Sequence, residues 1–256
     1  MKLQKLIKAA GRFAIVAGLL LAGGSAIAAV ATTKHNLGSG GPGPNTFSGT
    51  AEICVFCHTP HGSDISASVP LWNRTLGGAT YTTYDSLGTS SLDGATAPVG
   101  SVSIACLSCH DGTQAMDSVI NAPNTGMTGT WTGADRPAGN ALIGTDLQDD
   151  HPIGIQYGGG GITVNAKTGT LNDSDFVAPL NAPINGTTIW WVETGGNTSR
   201  EKTDMQLYTR SVAGIDTGTA QPFVECASCH DPHTTNATFL RISNAGSAVC
   251  LACHTK

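Results

Sequence analysis

The chain has 256 residues, 13 Lys and Arg against 18 Asp and Glu, and a formal charge of −5, with 5% aromatic and 12% charged residues. An acidic chain argues against nucleic acid and anionic lipid as partners. So few large side chains make a poor core by themselves, and beyond a short apolar run near the start no stretch approaches 18 apolar residues, so no membrane span is expected.

Lys2, Lys5, Lys8 and Arg12 form a basic region ahead of the apolar run Phe13 to Ala22, and Ala26-Ile27-Ala28 fits the small-residue cleavage pattern. Residues 1–28 therefore read as a secretory signal peptide, with cleavage after Ala28, or after Ala31 as second choice. Losing four basic residues leaves nine against 18 acidic ones, a mature charge of −9. Residues 29–256 are expected to form a single domain.

Lys34-His35-Asn36-Leu37 opens the mature chain, and Gly38 to Pro44 reads as a flexible Gly/Pro stretch. Four pentapeptides of one type follow: Cys54-Val55-Phe56-Cys57-His58, Cys106-Leu107-Ser108-Cys109-His110, Cys226-Ala227-Ser228-Cys229-His230 and Cys250-Leu251-Ala252-Cys253-His254. They are numbered motifs 1 to 4 below. Each is the C-x-x-C-H signature of c-type haem attachment. Two cysteines three apart share one face of a helical turn and can form thioethers to the two vinyl groups of one porphyrin. The His that follows then points at the iron. Structural zinc needs no His after every second Cys, and disulfides would not repeat one spacing four times. All eight cysteines fall in these motifs, which predicts four haem c groups, with His58, His110, His230 and His254 as iron ligands.

Four further histidines, His35, His61, His151 and His233, match four vacant axial positions, so bis-His ligation is expected throughout. The rival ligand is Met, and Met116, Met127 and Met205 sit in no repeated context. His61 and His233 each follow a motif His by three residues. The chain there is fixed on the near side of its own porphyrin, so both must serve neighbouring haems, which would bring haems close together.

Trp72, in Pro70-Leu71-Trp72-Asn73-Arg74, packs either on a haem edge or in a small core. In the motif-poor interval between His110 and Cys226, His151 reads as a distal ligand. Asp149 and Asp150 are either acceptors for its imidazole or solvated loop charges, the latter slightly favoured. Gly158 to Gly161 reads as a loop, and Ile189-Trp190-Trp191-Val192 as a short strand. Helical periodicity is weak everywhere. The expected fold is mostly coil, with short helices at the haem motifs and few short strands, wrapped around a haem core. Such a chain should be largely unfolded without its cofactor.

Taken in order, K-H-N, C-x-x-C-H-T-P-H, P-L-W-N, C-L-S-C-H-D-G, D-D-H-P-I, C-A-S-C-H-D-P-H and C-x-A-C-H resemble the OmcE-like tetrahaem outer-surface cytochromes, polymerising cytochromes of metal-respiring bacteria. The resemblance implies subunits stacked into extracellular filaments, with one distal His donated across the subunit interface. His61 reaching the haem of His254 in the next copy is the first expectation, and His35 the second. It also implies upstream periplasmic or outer-membrane cytochromes as electron donors and an extracellular acceptor. Eight imidazoles for eight axial positions leave no open iron, so electron transfer rather than catalysis is expected. The alternatives are a soluble periplasmic tetrahaem shuttle and, third, a small multihaem reductase, which would need one non-ligating His.

Overall fold

The computed structural model describes residues 29–123, 126–166, 170–211 and 220–255. The signal peptide expected at 1–28 lies outside the described residues. Most of the described chain is coil and turn, punctuated by three short α-helices and seven strands.

The largest regular element is a five-stranded antiparallel sheet, absent from the sequence reading except for one strand. Its strands are β3 (Ile155–Gln156), β4 (Leu180–Ile184), β5 (Thr187–Val192), β6 (Met205–Arg210) and β7 (Gln221–Val224), in the order β3-β7-β6-β5-β4. The hairpin between β4 and β5 turns on Asn185-Gly186, both in the left-handed region at φ 50° and 79°. A two-residue loop needs positive φ at both positions, and Asn-Gly is the pair that adopts it at least cost. Two further strands, β1 (Thr46–Phe47) and β2 (Trp131–Thr132), form a separate antiparallel pair.

The helices coincide with motifs. α1 (Ser101–His110) ends in motif 2, α2 (Cys226–Cys229) is motif 3, and α3 (Ala248–Cys253) carries motif 4. Motif 1 is a hydrogen-bonded turn instead, with the His58 and Cys57 amides donating to the Cys54 carbonyl at 2.8 and 3.1 Å.

The apolar side chains do not gather into one core. Trp190, Val192, Met205 and Leu207 line one sheet face with Tyr157, Ile162, Leu171 and Val224, and Cys229 and Cys253 pack against them. A second cluster joins Leu37, Phe47, Val55, Phe56 and Met116 beside Cys57 and Cys109, and a third joins Ala67, Trp72 and Ala105 beside Cys57. Each satellite cluster therefore abuts motif cysteines.

The Gly38 to Pro44 stretch, expected to be flexible, is tightly folded. The Ser39 amide donates to Thr50, Gly41 to Gly38, and the Phe47 amide to the Leu37 carbonyl. A Cβ at Gly41 would lie 1.9 Å from the Asn36 carbonyl oxygen, so only glycine fits there. These bonds hold His35 in place.

Candidate haem centres

All eight motif cysteines are free thiols. Burial, with Cys109 second, pushes the Cys57 thiol up to about 12, and burial with Cys229 does the same for Cys253. Among the described residues no three His, Cys, Asp or Glu side chains converge on a point that could hold a metal ion.

Three motifs are closed by the same device, a short antiparallel strap. At motif 1 the Thr59 amide donates to Leu71 and the Asn73 amide to Cys57, both at 2.9 Å. At motif 3 the Asp231 amide donates to Phe239 at 2.8 Å and the Arg241 amide to Cys229 at 2.9 Å. At motif 4 the Thr255 amide donates to Asp175 and the Val177 amide to Cys253, both at 2.8 Å. Leu71 and Phe239 occupy equivalent strap positions and share φ 57°, a conformation uncommon for such residues.

The straps also orient the motif imidazoles. His58 Nδ1 lies 2.8 Å from the Pro70 carbonyl, and His230 Nδ1 lies 2.9 Å from that of Thr238. His110 Nδ1 meets the Ala141 carbonyl at 2.6 Å. A carbonyl only accepts, so Nδ1 carries the proton in each ring and Nε2 keeps its lone pair for a metal.

Three of these imidazoles face a second imidazole. The His58 and His233 rings are 6.1 Å apart, centre to centre, and nearly parallel at 17°. His35 and His110 are 6.2 Å apart at 87°, and His151 and His254 are 6.5 Å apart at 61°. Imidazole nitrogen binds a first-row metal at about 2.0–2.1 Å, and the ring centre lies about 1.1 Å further back, so two rings on opposite sides of one metal have centres about 6.2–6.4 Å apart. The three separations lie within about 0.1 Å of that range, so the residues present fit the group, and each pair would hold a haem iron between its rings. His233 Nδ1 is 3.2 Å from Asp231 Oδ1, which again leaves Nε2 free. Burial first, then His110, lowers the His35 pKa to about 4, and burial lowers that of His58. At neutral pH both rings are thus uncharged, the ligating form.

The ring facing His254 is that of His151 of the same chain. Asp149 and Asp150 are exposed, in keeping with the favoured reading of solvated loop charges, and His151 Nδ1 lies 3.1 Å from the Pro152 carbonyl. Trp72 stands edge-on to His58 at 6.2 Å and is buried in the third cluster, so it touches motif 1 and a small core at once. His61 and His230 remain exposed, and neither has another imidazole in ring contact among the described residues. The His61 carbonyl is pinned by Asn121 Nδ2 at 2.8 Å and Thr59 Oγ1 at 3.1 Å, so its ring is presented outward from a fixed backbone.

Consecutive motifs are neighbours. Arg74, whose neighbour Asn73 donates to Val55 and Cys57 of motif 1, itself donates to Ser108 of motif 2. Ser103 of α1 donates to Glu225 Oε2 at 2.5 Å and accepts from the Cys226 amide at 2.9 Å, joining motifs 2 and 3. Arg210 completes that network at 3.1 Å from Glu225. Motifs 3 and 4 meet through Cys229 and Cys253 at the sheet face. The sequence reading missed Arg74, Ser103, Glu225 and Arg241. A buried charged residue beside a motif becomes recognisable only once its burial is known.

Residues 221–256 match a family model described as a doubled CXXCH motif, which spans motifs 3 and 4. No curated protein matches the chain. The doubled motif indicates covalent attachment of haem c and a multihaem cytochrome-like, electron-transferring character.

Proposed function

We propose that the chain binds four haem c groups, all with bis-His ligation, and carries electrons along them, with copies polymerising into extracellular filaments that conduct between upstream cytochromes and an external acceptor. Bound haem supplies an iron that exchanges one electron between its ferric and ferrous states. The chain would hold each group by two motif cysteines, with His58, His110, His151 and His230 oriented by backbone carbonyls at Nδ1, and paired imidazoles would keep substrate and water off the metal. Bis-His ligation favours lower potentials than His/Met.

The observation that carries this reading is the inventory of rings. Three motif imidazoles face a partner at 6.1–6.5 Å, which leaves one acceptor, His230, and one donor, His61, unpaired and exposed. Between copies, these two rings would complete each other. The internal repeat supports this choice: the second His of motif 3, His233, faces the motif imidazole His58. The equivalent second His of motif 1, His61, would then meet His230 of the next copy in the same way. The trans acceptor is thus revised from the haem of His254 to that of His230.

Electron microscopy of protein sheared from producing cells, with haem-stained gels to identify the band, tests the proposal. Filaments built from this chain with His61 beside His230 of the next copy are expected. Compact single particles with four low-spin haems would shift the function to a soluble shuttle.

A further inference from the structure

Two arginines are buried beside the motifs, and among the described residues neither is paired with a carboxylate. Arg74 is 0% exposed and Arg241 9%. A guanidinium keeps its charge at any pH a folded protein meets. Arg74 donates to Ser108 Oγ, to the Ser108 and Ala115 carbonyls and to that of Met116, all neutral acceptors. Arg241 donates twice to the Ala227 carbonyl and once to that of Lys202. Among the described residues no carboxylate lies within ion-pair distance of either, whereas Arg210 has Glu225 at 3.1 Å.

The acceptors lie inside the motifs themselves. Ser108 stands between Cys106 and Cys109, and Ala227 between Cys226 and Cys229. Motif 4 has no counterpart. Its strap carries Val177 where the strap of motif 3 carries Arg241 and that of motif 1 carries Asn73, each donating its amide to the second motif cysteine. Asn73 and Val177 show that closing a strap needs no charge.

We propose that Arg74 and Arg241 are field residues that raise the reduction potentials of the haems beside motifs 1 to 3 above that of the haem at motif 4. One electron turns ferric iron to ferrous, with no bond made or broken, and lowers the positive charge at the metal. A fixed cation in a low-dielectric surround repels the ferric state more than the ferrous one, so reduction is favoured. The inference rests on the haem-binding reading above.

The test is a spectroelectrochemical titration of the full-length, haem-loaded protein, with ferric spin resonance separating sites by imidazole-plane angle. In the unaltered protein the site of the 61° pair, His151 and His254, is expected to be reduced last as the potential is lowered. Arg74→Gln and Arg241→Gln are each expected to lower the midpoint of at least one neighbouring haem and leave that of motif 4 in place. Arg74→Lys and Arg241→Lys keep the charge with a poorer clamp and should keep the midpoints. Haem-loaded Gln variants with unaltered midpoints would overturn the inference, as would reduction of the motif 4 haem first in the unaltered protein, a result independent of how the variants fold. A mass lacking the added haems would instead sink the cofactor reading, so the two failures are distinguishable.

Discussion

Replacing His233 with Ala isolates one proposed axial pair. The 6.1 Å separation of His58 and His233 falls within about 0.2 Å of that of two imidazoles on one iron. His61 cannot substitute, because it follows His58 by three residues on the same side of that porphyrin. One haem of the proposed four should therefore lose its sixth ligand. The expected result is a loss of about a quarter of the low-spin ferric signal, and about one carbon monoxide bound per chain after reduction, where the parent binds none. The identity of the lost component is the sharper readout. A near-parallel pair at 17° splits the iron d orbitals and gives a rhombic spectrum, while the His35–His110 pair at 87° leaves them nearly degenerate and strongly anisotropic. The rhombic signal should fall and the anisotropic one persist. Four low-spin haems in the variant, or loss of the anisotropic species, would show that His233 does not share an iron with His58.

His61→Ala should leave single particles in place of filaments, with about one carbon monoxide bound per chain at the site of His230; normal filaments from this variant would reject the trans pairing. Trp190→Ala removes a side chain that is 0% exposed at the centre of the sheet cluster, and should cost about 3–5 kcal/mol in denaturant unfolding. A cost below about 1 kcal/mol would mean that the sheet face contributes little to stability. Ser103→Ala strands Glu225 Oε2 and the Cys226 amide, and should cost about 1–3 kcal/mol by the same assay. Melting indistinguishable from the parent would show that the link between motifs 2 and 3 is dispensable.

The four motifs were legible because covalent chemistry imposes their spacing: a porphyrin's two vinyl groups and its iron ask for C-x-x-C-H. The pairing of imidazoles was not, since His58 meets a ring from beyond motif 3, and nothing local to either residue records that. The straps were hidden for another reason. They work through backbone groups, so Pro70 to Asn73, Thr238 to Arg241 and Asp175 to Val177 share a geometry with little residue type in common. Leu71 and Phe239 take positive φ without the glycine that would have flagged it. The sheet was partly legible. Asn185-Gly186 carries a full hairpin signal, but Pro222 in β7 argues against an inner strand. It lies opposite Thr209 of β6, while β3 is only two residues long and pairs with Phe223 and Val224, so Pro222 has no partner on the β3 side.

The straps also set an order of maturation. Those of motifs 1 and 3 follow their cysteines in the chain, so each turn emerges open and closes after its imidazole is in place. The strap of motif 4, Asp175 to Val177, precedes its cysteines and adjoins β4 of the sheet. Cys250 and Cys253 thus emerge after the surface that will receive them has been synthesised, and docking there competes with delivery of the cofactor. Motif 4 is the site where slow attachment would trap an incompletely loaded chain, and mass spectra of overproduced protein should show that deficit there first.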